Sequence, residues 1–138
     1  TYRGQCAEYC GAQHAHMILL VVAEPPDKFQ QWFAAQRQPA AVPENEQQLR
    51  GQRLFESRPC LLCHTIRGTL AGGRVGPDLT HIGSRQRIAT NMLENNTANL
   101  SAWIVNAQSL KPGVLMPNVT QFSGDELRDI EAYLRHLR

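Results

Sequence analysis

No charge of one sign dominates this chain: 14 Lys+Arg stand against 12 Asp+Glu, a formal net charge of +2. A protein that grips nucleic acid by displacing counterions needs a far larger basic excess, so that class is excluded. Nor is an excess hidden in one region. Residues 1–43 hold three side chains of each sign, and residues 44–138 hold eleven basic and nine acidic ones. Long apolar runs are missing too. The longest, Met17 to Ala23, has seven residues, against the roughly 18–20 that a membrane-spanning helix requires. There is no internal repeat, no secretory leader and no initiator Met; the start at Thr1 implies that something upstream has been removed. At 42% hydrophobic and 19% charged, the composition also excludes a disordered tail. What remains is a chain of 138 residues, enough for one ordinary domain or two very small ones.

The four cysteines fall in two tight pairs, at 6 and 10 and at 60 and 63, and the organisation of the chain changes between them. Residues 1–23 read as a Gly- and Cys-bearing loop that runs into an apolar strand, Met17–Ala23. Its unbroken aliphatic character predicts burial on both faces. Pro25-Pro26 stops it. Asp27 can cap a short helix, Lys28 to Gln36, with Phe29, Trp32 and Phe33 on one face. Residues 36–43 are polar, Pro-bearing and aperiodic, as in a linker. The expected organisation is therefore a first segment over 1–35, a linker over 36–43 and a second domain over 44–138.

That second domain is mostly helical in pattern. A helix is expected over Asn45–Ser57 with Leu49, Leu54 and Phe55 as its buried side, ended by Pro59. After a Gly-rich loop (Gly68, Gly72, Gly73, Gly76), short helices are expected over Arg85–Leu93, capped by Ser84, and over Leu100–Ala107. The last helix has the clearest signals. Ser123 and Glu126 form a capping box, and Leu127, Ile130, Leu134 and Leu137 make one apolar stripe with Tyr133 beside it.

Cys60-Leu61-Leu62-Cys63-His64 has the spacing of a covalent c-type haem attachment. Two thiols three positions apart can reach the two vinyl groups on one porphyrin edge as thioethers, and the adjacent imidazole is placed to bind the iron. A zinc site would need a second ligand pair at ribbon spacing, and a thioredoxin-type motif would need a βαβ unit; neither is visible. For the sixth ligand, Met116 in Leu115-Met116-Pro117 is the leading candidate, since a rigid loop can hold a sulfur against iron. His81 is a rival. Met92, at helical spacing among Ile88 and Leu93, reads as core filler, and His136 reads as a solvent-facing residue of the last helical turn. His/Met ligation raises the potential and leaves no open site, which suits electron transfer.

Over residues 44–138 the chain resembles the class I cytochromes c. The resemblance rests on Cys60-Leu61-Leu62-Cys63-His64, on Gly76-Pro77-Asp78-Leu79 and on Met116-Pro117. It implies a mainly α fold of three to five helices around a covalent haem c, with Gly51 and Phe55 of the first helix packed on Tyr133 of the last. It also implies that the carbonyl of Pro77 accepts from the ring N–H of His64. Trp103 and Arg85 are candidates for holding the haem propionates; a core indole and a surface charge are their alternative readings.

The first pair sits in Cys6-Ala7-Glu8-Tyr9-Cys10-Gly11-Ala12-Gln13-His14-Ala15-His16-Met17. Two Cys, a His and a Met are soft or borderline ligands of the kind that select copper; a strained Cys6–Cys10 disulfide is the alternative. The spacing resembles the dinuclear copper A loop of cytochrome c oxidase subunit II. That resemblance implies bridging thiolates from Cys6 and Cys10, a backbone carbonyl from Glu8, and His14 and Met17 as further ligands, with His16 in no ligand position. It also implies that the apolar strand is the last of a cupredoxin β-sandwich. A second family His belongs on a strand upstream of Cys6, so the chain would be a C-terminal fragment and its copper site incomplete.

A copper A loop, a linker and a cytochrome c domain in that order are the layout of an oxidase subunit II with a fused cytochrome c. The implied function is an electron relay without a catalytic site of its own. Electrons would pass from an external donor, a cytochrome c or a quinol-oxidising complex, through the haem to copper A and on to the oxygen-reducing, proton-pumping subunit I. The implied place is the extracytoplasmic face of a bacterial membrane, tethered by an upstream hairpin, with no nucleic-acid partner. A free-standing monohaem shuttle or sensor with an inert N-terminal segment is the alternative. A peroxidase-like enzyme would need an open sixth position.

Overall fold

Five helices and four short strands carry the 138 residues described by the computed structural model. The chain divides into two compact units, each built from two stretches of sequence. One comprises Thr1–Ala35 with Gln86–Thr120, the other Gln36–Arg85 with Gln121–Arg138.

The second unit is organised by two helices, α2 (Glu46–Ser57) and α5 (Gly124–His136), with the single-turn α3 (Cys60–Cys63) between them in sequence. Asn45 lies just outside α2, and its side chain accepts from the N–H of Gln48 at 3.0 Å; the residue expected to open the helix is its cap. The buried positions of α2 are Gly51 and Phe55, with Leu49 and Leu54 only half-buried. The i, i+4 pair, rather than the leucines, faces α5. Phe55 meets Tyr133 edge-on, with ring centroids 6.3 Å apart, a favoured aromatic geometry. Gly51 lies against the α5 backbone so closely that an added Cβ would come within 2.7 Å of both the carbonyl carbon of Asp129 and the Cβ of Tyr133. Arg50 closes the crossing with a two-pronged ion pair to Asp129, at 2.8 and 3.1 Å. Around it Ile66, Ile130, Tyr133, Leu134 and Leu137 are buried, as the stripe on the last helix predicted for its later members; Leu127 is half-buried. Burial, then the nearby Glu56 carboxylate, push the Tyr133 phenol above its ordinary range.

The N-terminus of α5 carries the expected capping box. Ser123 Oγ accepts from Glu126 N, and Glu126 Oε2 accepts from Ser123 N at 2.8 Å. Glu126 also pairs with Arg58 at 3.2 Å. The Ser123 N–H, then Arg58, hold the Glu126 carboxyl below the usual range. A carboxyl with a depressed folded-state pKa contributes stability above its unfolded pKa and loses it as pH falls through the folded value. Urea midpoints are therefore expected to fall on acidification below about pH 4.3, the ordinary Glu value. In Glu126→Gln that part of the pH dependence should shrink; an unchanged acid slope would contradict the assignment.

Residues 36–43, linker-like in sequence, are bound along their length in this unit. Arg67 donates to the carbonyls of Gln36 and Arg37 at 2.6 and 3.1 Å, and its own carbonyl accepts from Ala40 N at 2.9 Å. His81, buried, bonds the carbonyl of Gln38 at 3.2 Å. His136 bonds that of Val42 at 2.8 Å. The imidazole of His136 is only 14% exposed, so the expectation that it faces solvent is corrected: the carbonyl of Val42 draws it inward.

In the first unit, β1 (Tyr2–Gln5) pairs antiparallel with β2 (Ile18–Val21) in the register Tyr2↔Val21 to Gln5↔Ile18. β1 falls in a stretch expected to be loop. β2 matches the expected strand but not its burial, because β1 is its sole partner and Leu19, Leu20, Val21 and Val22 are exposed. α1 (Pro26–Gln36) begins one residue before Asp27. Proline is pre-organised for the first helical position, and Asp27 sits in the first turn rather than at the cap. Phe29, Trp32 and Phe33 form an aromatic face that is exposed, with Phe29 stacked on Phe33 at 6.0 Å.

The helix expected over Arg85–Leu93 is absent. Instead β3 (Arg87–Ile88) and β4 (Leu93–Glu94) form a small hairpin. Ala89, Thr90 and Asn91 all have positive φ, 53°, 60° and 64°, a region costing about 1–2 kcal/mol per non-Gly residue. Side chains hold that turn. Arg87 donates to the carbonyls of Asn91 and Met92, Asn91 donates to that of Ile18, and the buried Lys111 ammonium donates to Thr90 Oγ1 at 2.6 Å. Burial lowers the Lys111 pKa. Ser84, expected as a helix cap, instead donates to the carbonyl of His81. α4 runs Thr97–Leu110, longer than the expected Leu100–Ala107, with non-helical backbone at Asn106 (φ −139°). No helix is long and apolar enough to cross a membrane.

Two candidate metal centres

The first centre is assembled by one helical turn and the loop that folds over it. In α3, Cys60 and Cys63 are three residues apart and so share a face; both thiols are free and half-buried. Burial pushes the Cys60 thiol up. The helix ends as the N–H of His64 bonds the carbonyl of Cys60 at 2.9 Å and His64 turns to extended backbone. The following loop is stitched to this turn. Gly76 N donates to the carbonyl of Cys63 at 2.7 Å, Gly73 N to that of His64 at 3.1 Å, and Thr65 Oγ1 to that of Gly73 at 2.7 Å. The stitching carries Pro77 to His64, whose Nδ1 lies 2.8 Å from the Pro77 carbonyl. A carbonyl only accepts, so Nδ1 carries the proton and Nε2 keeps a lone pair free for a metal. Gly76 permits this closeness: a Cβ there would fall 2.6 Å from His64 Cε1 and 2.8 Å from Nδ1.

Beside this loop Arg85 donates to the carbonyl of Asp78 at 3.0 Å. Burial alone would raise the Asp78 carboxyl, but hydrogen bonds from Thr80 and the charge of Arg67 outweigh it and hold the group low. Met116 and Trp103 lie in the other unit, both half-buried. Trp103 is on α4, and Met116 is in the loop that follows it. Met92, weighed as a helical core residue, lies in the β3–β4 turn.

The second centre is the loop joining β1 to β2, closed by the bond from Cys6 N to the carbonyl of Met17 at 3.0 Å. Pairing of the two strands brings the ends of the loop together. Gly11, at φ +119°, and a single helical turn at His14–His16 fold its middle back. Cys6 Sγ lies 3.6 Å from Cys10 Sγ and 3.0 Å from the carbonyl of Glu8; Cys10 Sγ lies 3.5 Å from Met17 Sδ and 3.8 Å from His14 Nδ1. The donor atoms of Cys6, Cys10 and His14 all fall within 4.8 Å of one another. The pKa of the Cys10 thiol is raised, first by the side-chain hydrogen bond with Cys6, then by desolvation and by the charge of the Cys6 thiolate. Their separation is well inside twice a metal–thiolate bond of about 2.3 Å, so one ion can touch both. His16 is exposed and stands apart from the cluster.

Sequence reasoning missed the residues that brace these loops. Gln108 and Asn118 grip the segment around Met116, and Gln13, next to His14, donates to the carbonyl of Pro112 in that same segment at 2.7 Å. Amide side chains in polar surroundings carry no periodic or motif signal, so nothing in the sequence singles them out.

The mainly α architecture, with five helices and two small sheets, and a Cys-x-x-Cys-His turn with an oriented imidazole are those of a c-type cytochrome. Residues 48–138 match the family model described as Cytochrome c, and the chain belongs to that family with a class I fold. Its similarity to known proteins extends across the whole length. Subunit 2 of cytochrome c oxidase from Alkalihalophilus pseudofirmus is 37% identical over 138 residues, covering 100% of this chain and 40% of the relative. The subunits 2 of Bacillus subtilis and of Bacillus sp. strain PS3 are 30% and 32% identical, covering 98% and 100% of this chain. The chain thus spans about 40% of the length of the curated relatives it matches. A cytochrome c domain binds haem c, and the residues around α3 fit that group: two thiols on one face, an imidazole with its outer nitrogen fixed, and a glycine where the ring needs room. The soft donor set of the β1–β2 loop likewise fits copper.

Proposed function

We propose that this chain is the electron-transfer portion of a haem–copper terminal oxidase, relaying electrons from an external donor through haem c to a dinuclear copper A centre and on to the oxygen-reducing, proton-pumping subunit. The observation that carries the reading is the convergence of Cys6, Glu8, Cys10, His14 and Met17 in one loop of a chain whose remainder is a cytochrome c domain. The names of the relatives support it.

When bound, haem c supplies a one-electron iron couple. Cys60 and Cys63 would hold it as thioethers, His64 would offer Nε2 to the iron, and the Pro77 carbonyl keeps the imidazole in the tautomer this requires. Met116 would supply a thioether as the second iron ligand, a pairing that suits electron transfer, and Arg85 and Trp103 would hold the propionates. In the β1–β2 loop Cys6 and Cys10 act as thiolates, Glu8 through its carbonyl, and His14 and Met17 complete this chain's share of the copper ligands. Residues 1–35 form the end of a cupredoxin domain, 36–43 the connection and 44–138 the cytochrome c domain. The exposed apolar strand β2 and aromatic face of α1 support this division, since a two-stranded hairpin is marginal alone and such surfaces are normally covered. The parent protein sits at the extracytoplasmic face of a bacterial membrane, held by an upstream hairpin. Its donor is a cytochrome c or a quinol-oxidising complex.

The test is to extend the chain upstream through a second His, supply copper and follow the haem after rapid reduction. A mixed-valence dinuclear copper signal and transfer of the electron from haem to copper are expected. If the thiols are reduced before copper is added and the reoxidised protein still shows no mixed-valence signal, Cys6 and Cys10 pairing instead as a disulfide, the reading is overturned in favour of a free-standing monohaem carrier.

A further inference from the structure

The loop that carries Met116 is held by an unusual splice into α4. At Asn106 the backbone leaves the helix (φ −139°, ψ 40°). The N–H of Gln108 donates to Asn118 Oδ1 at 2.9 Å. The carbonyl of Ile104, four residues before Gln108, accepts from Val119 N at 3.2 Å. Residues 118 and 119 therefore enter the helical ladder, a recognised cause of a kink. The kink sets the side chain of Gln108 beside the returning loop, and its Nε2 lies 2.6 Å from the carbonyl of Val114 and 2.8 Å from that of Met116. An amide nitrogen has two N–H groups, one for each acceptor. The backbone bends at Leu115 and Met116, and the pair of bonds ties both ends of Val114–Met116 to one amide, which restrains that bend. Gln108 is itself exposed and contributes no core burial; what it offers the structure is this grip.

We propose that Gln108 is a positioning residue for the axial thioether: by bonding the carbonyls of Val114 and Met116 it holds the backbone from which the Met116 side chain reaches the iron. The inference rests on the reading of Met116 as the sixth ligand. Its consequence is kinetic. Loss of both N–H donors frees the loop to swing, so Met116 yields its place to an added ligand more readily, while the folded core is left as it was.

The test uses the haem-bound chain and imidazole as the competing ligand. Wild type, Met116→Ala, Gln108→Met (similar in length, without donors) and Gln108→Arg (donors restored) are compared by the sulfur-to-iron charge-transfer band, the rate of imidazole binding to ferric haem and the urea midpoint. In Gln108→Met the band should weaken and imidazole should bind about tenfold faster, the scale of two lost neutral hydrogen bonds, with the urea midpoint little changed and partial recovery in Gln108→Arg. An unchanged band and rate in Gln108→Met would overturn the proposal, as would equal effects in Gln108→Arg. If wild type lacks the band, or Met116→Ala keeps it, the ligand assignment itself fails, a result distinguishable from failure of the Gln108 role alone.

Discussion

Gly51→Ala is expected to lower the stability of the chain by about 2 kcal/mol. The added methyl would meet the carbonyl group of Asp129 and the Cβ of Tyr133. These atoms belong to the α5 backbone and its first side-chain carbon, so no rotamer change can move them aside. α2 and α5 must separate, which loosens the Phe55–Tyr133 contact and the Arg50–Asp129 pair. Overpacking of this kind costs about 3 kcal/mol at the upper end of its usual range. Alanine recovers about 1 kcal/mol through its better helix propensity, so the steric term wins. Urea unfolding measures the difference. A variant as stable as the wild type would show that the crossing can relax and that Gly51 is not required by contact.

Gly76→Ala is expected to damage the haem site strongly without replacing any candidate ligand. Its Cβ would stand within van der Waals overlap of the His64 ring at Cε1 and Nδ1. Either the imidazole tilts or the loop retreats, and both break the 2.8 Å bond to the Pro77 carbonyl. Loss of such an orienting partner commonly costs about 10–100-fold in metal affinity. The ferric protein should therefore pass from uniformly low-spin to a mixture with high-spin haem, read by magnetic circular dichroism. Pro77→Ala is the informative contrast. It keeps the accepting carbonyl, which is main chain, and should stay mostly low-spin. If Gly76→Ala remains wholly low-spin, the ring does not depend on this loop.

Much of the fold was legible because it is written in local signals. The capping box at Ser123 and Glu126 and the apolar stripe of α5 combine polar geometry with 3.6-residue periodicity, and both survive in the structure. Asn45, expected as the first helical residue, is the cap instead, because a polar cap and a polar first turn look alike in one sequence. The β3–β4 hairpin was not legible at all. Ile88, Met92 and Leu93 imitate a helical face, while the left-handed run Ala89–Asn91 is sustained by Arg87 and Lys111, one of them twenty residues distant in sequence. The exposure of β2, where burial on both faces is expected, has a different reason. A continuous aliphatic run reports what a strand is suited to pack against, and in this structure it has only β1 beside it.

At the sites, residue chemistry and spacing single out the candidate thiols, imidazoles and thioethers, and the cytochrome c resemblance implies the bond between His64 and the Pro77 carbonyl, which the structure contains. The bonds at Gly73 and Gly76 that pin the loop carrying Pro77 have no such signal. The segment around Met116 is held by Gln108, Asn118 and Gln13. The polar stretch 36–43 is fastened by Arg67, His81 and His136. Such contacts are tertiary and polar, and they leave no periodic trace in the sequence.

The central claim is that Cys60 and Cys63 hold a haem covalently on an electron-carrying chain, and the mass of the denatured protein tests it most directly. Isolated from a host that attaches c-type haem, the 15.5 kDa polypeptide is expected to retain the mass of one haem after unfolding in acid, and to lose it when both cysteines are replaced by serine. A wild-type chain that runs at the mass of the polypeptide alone would contradict the account.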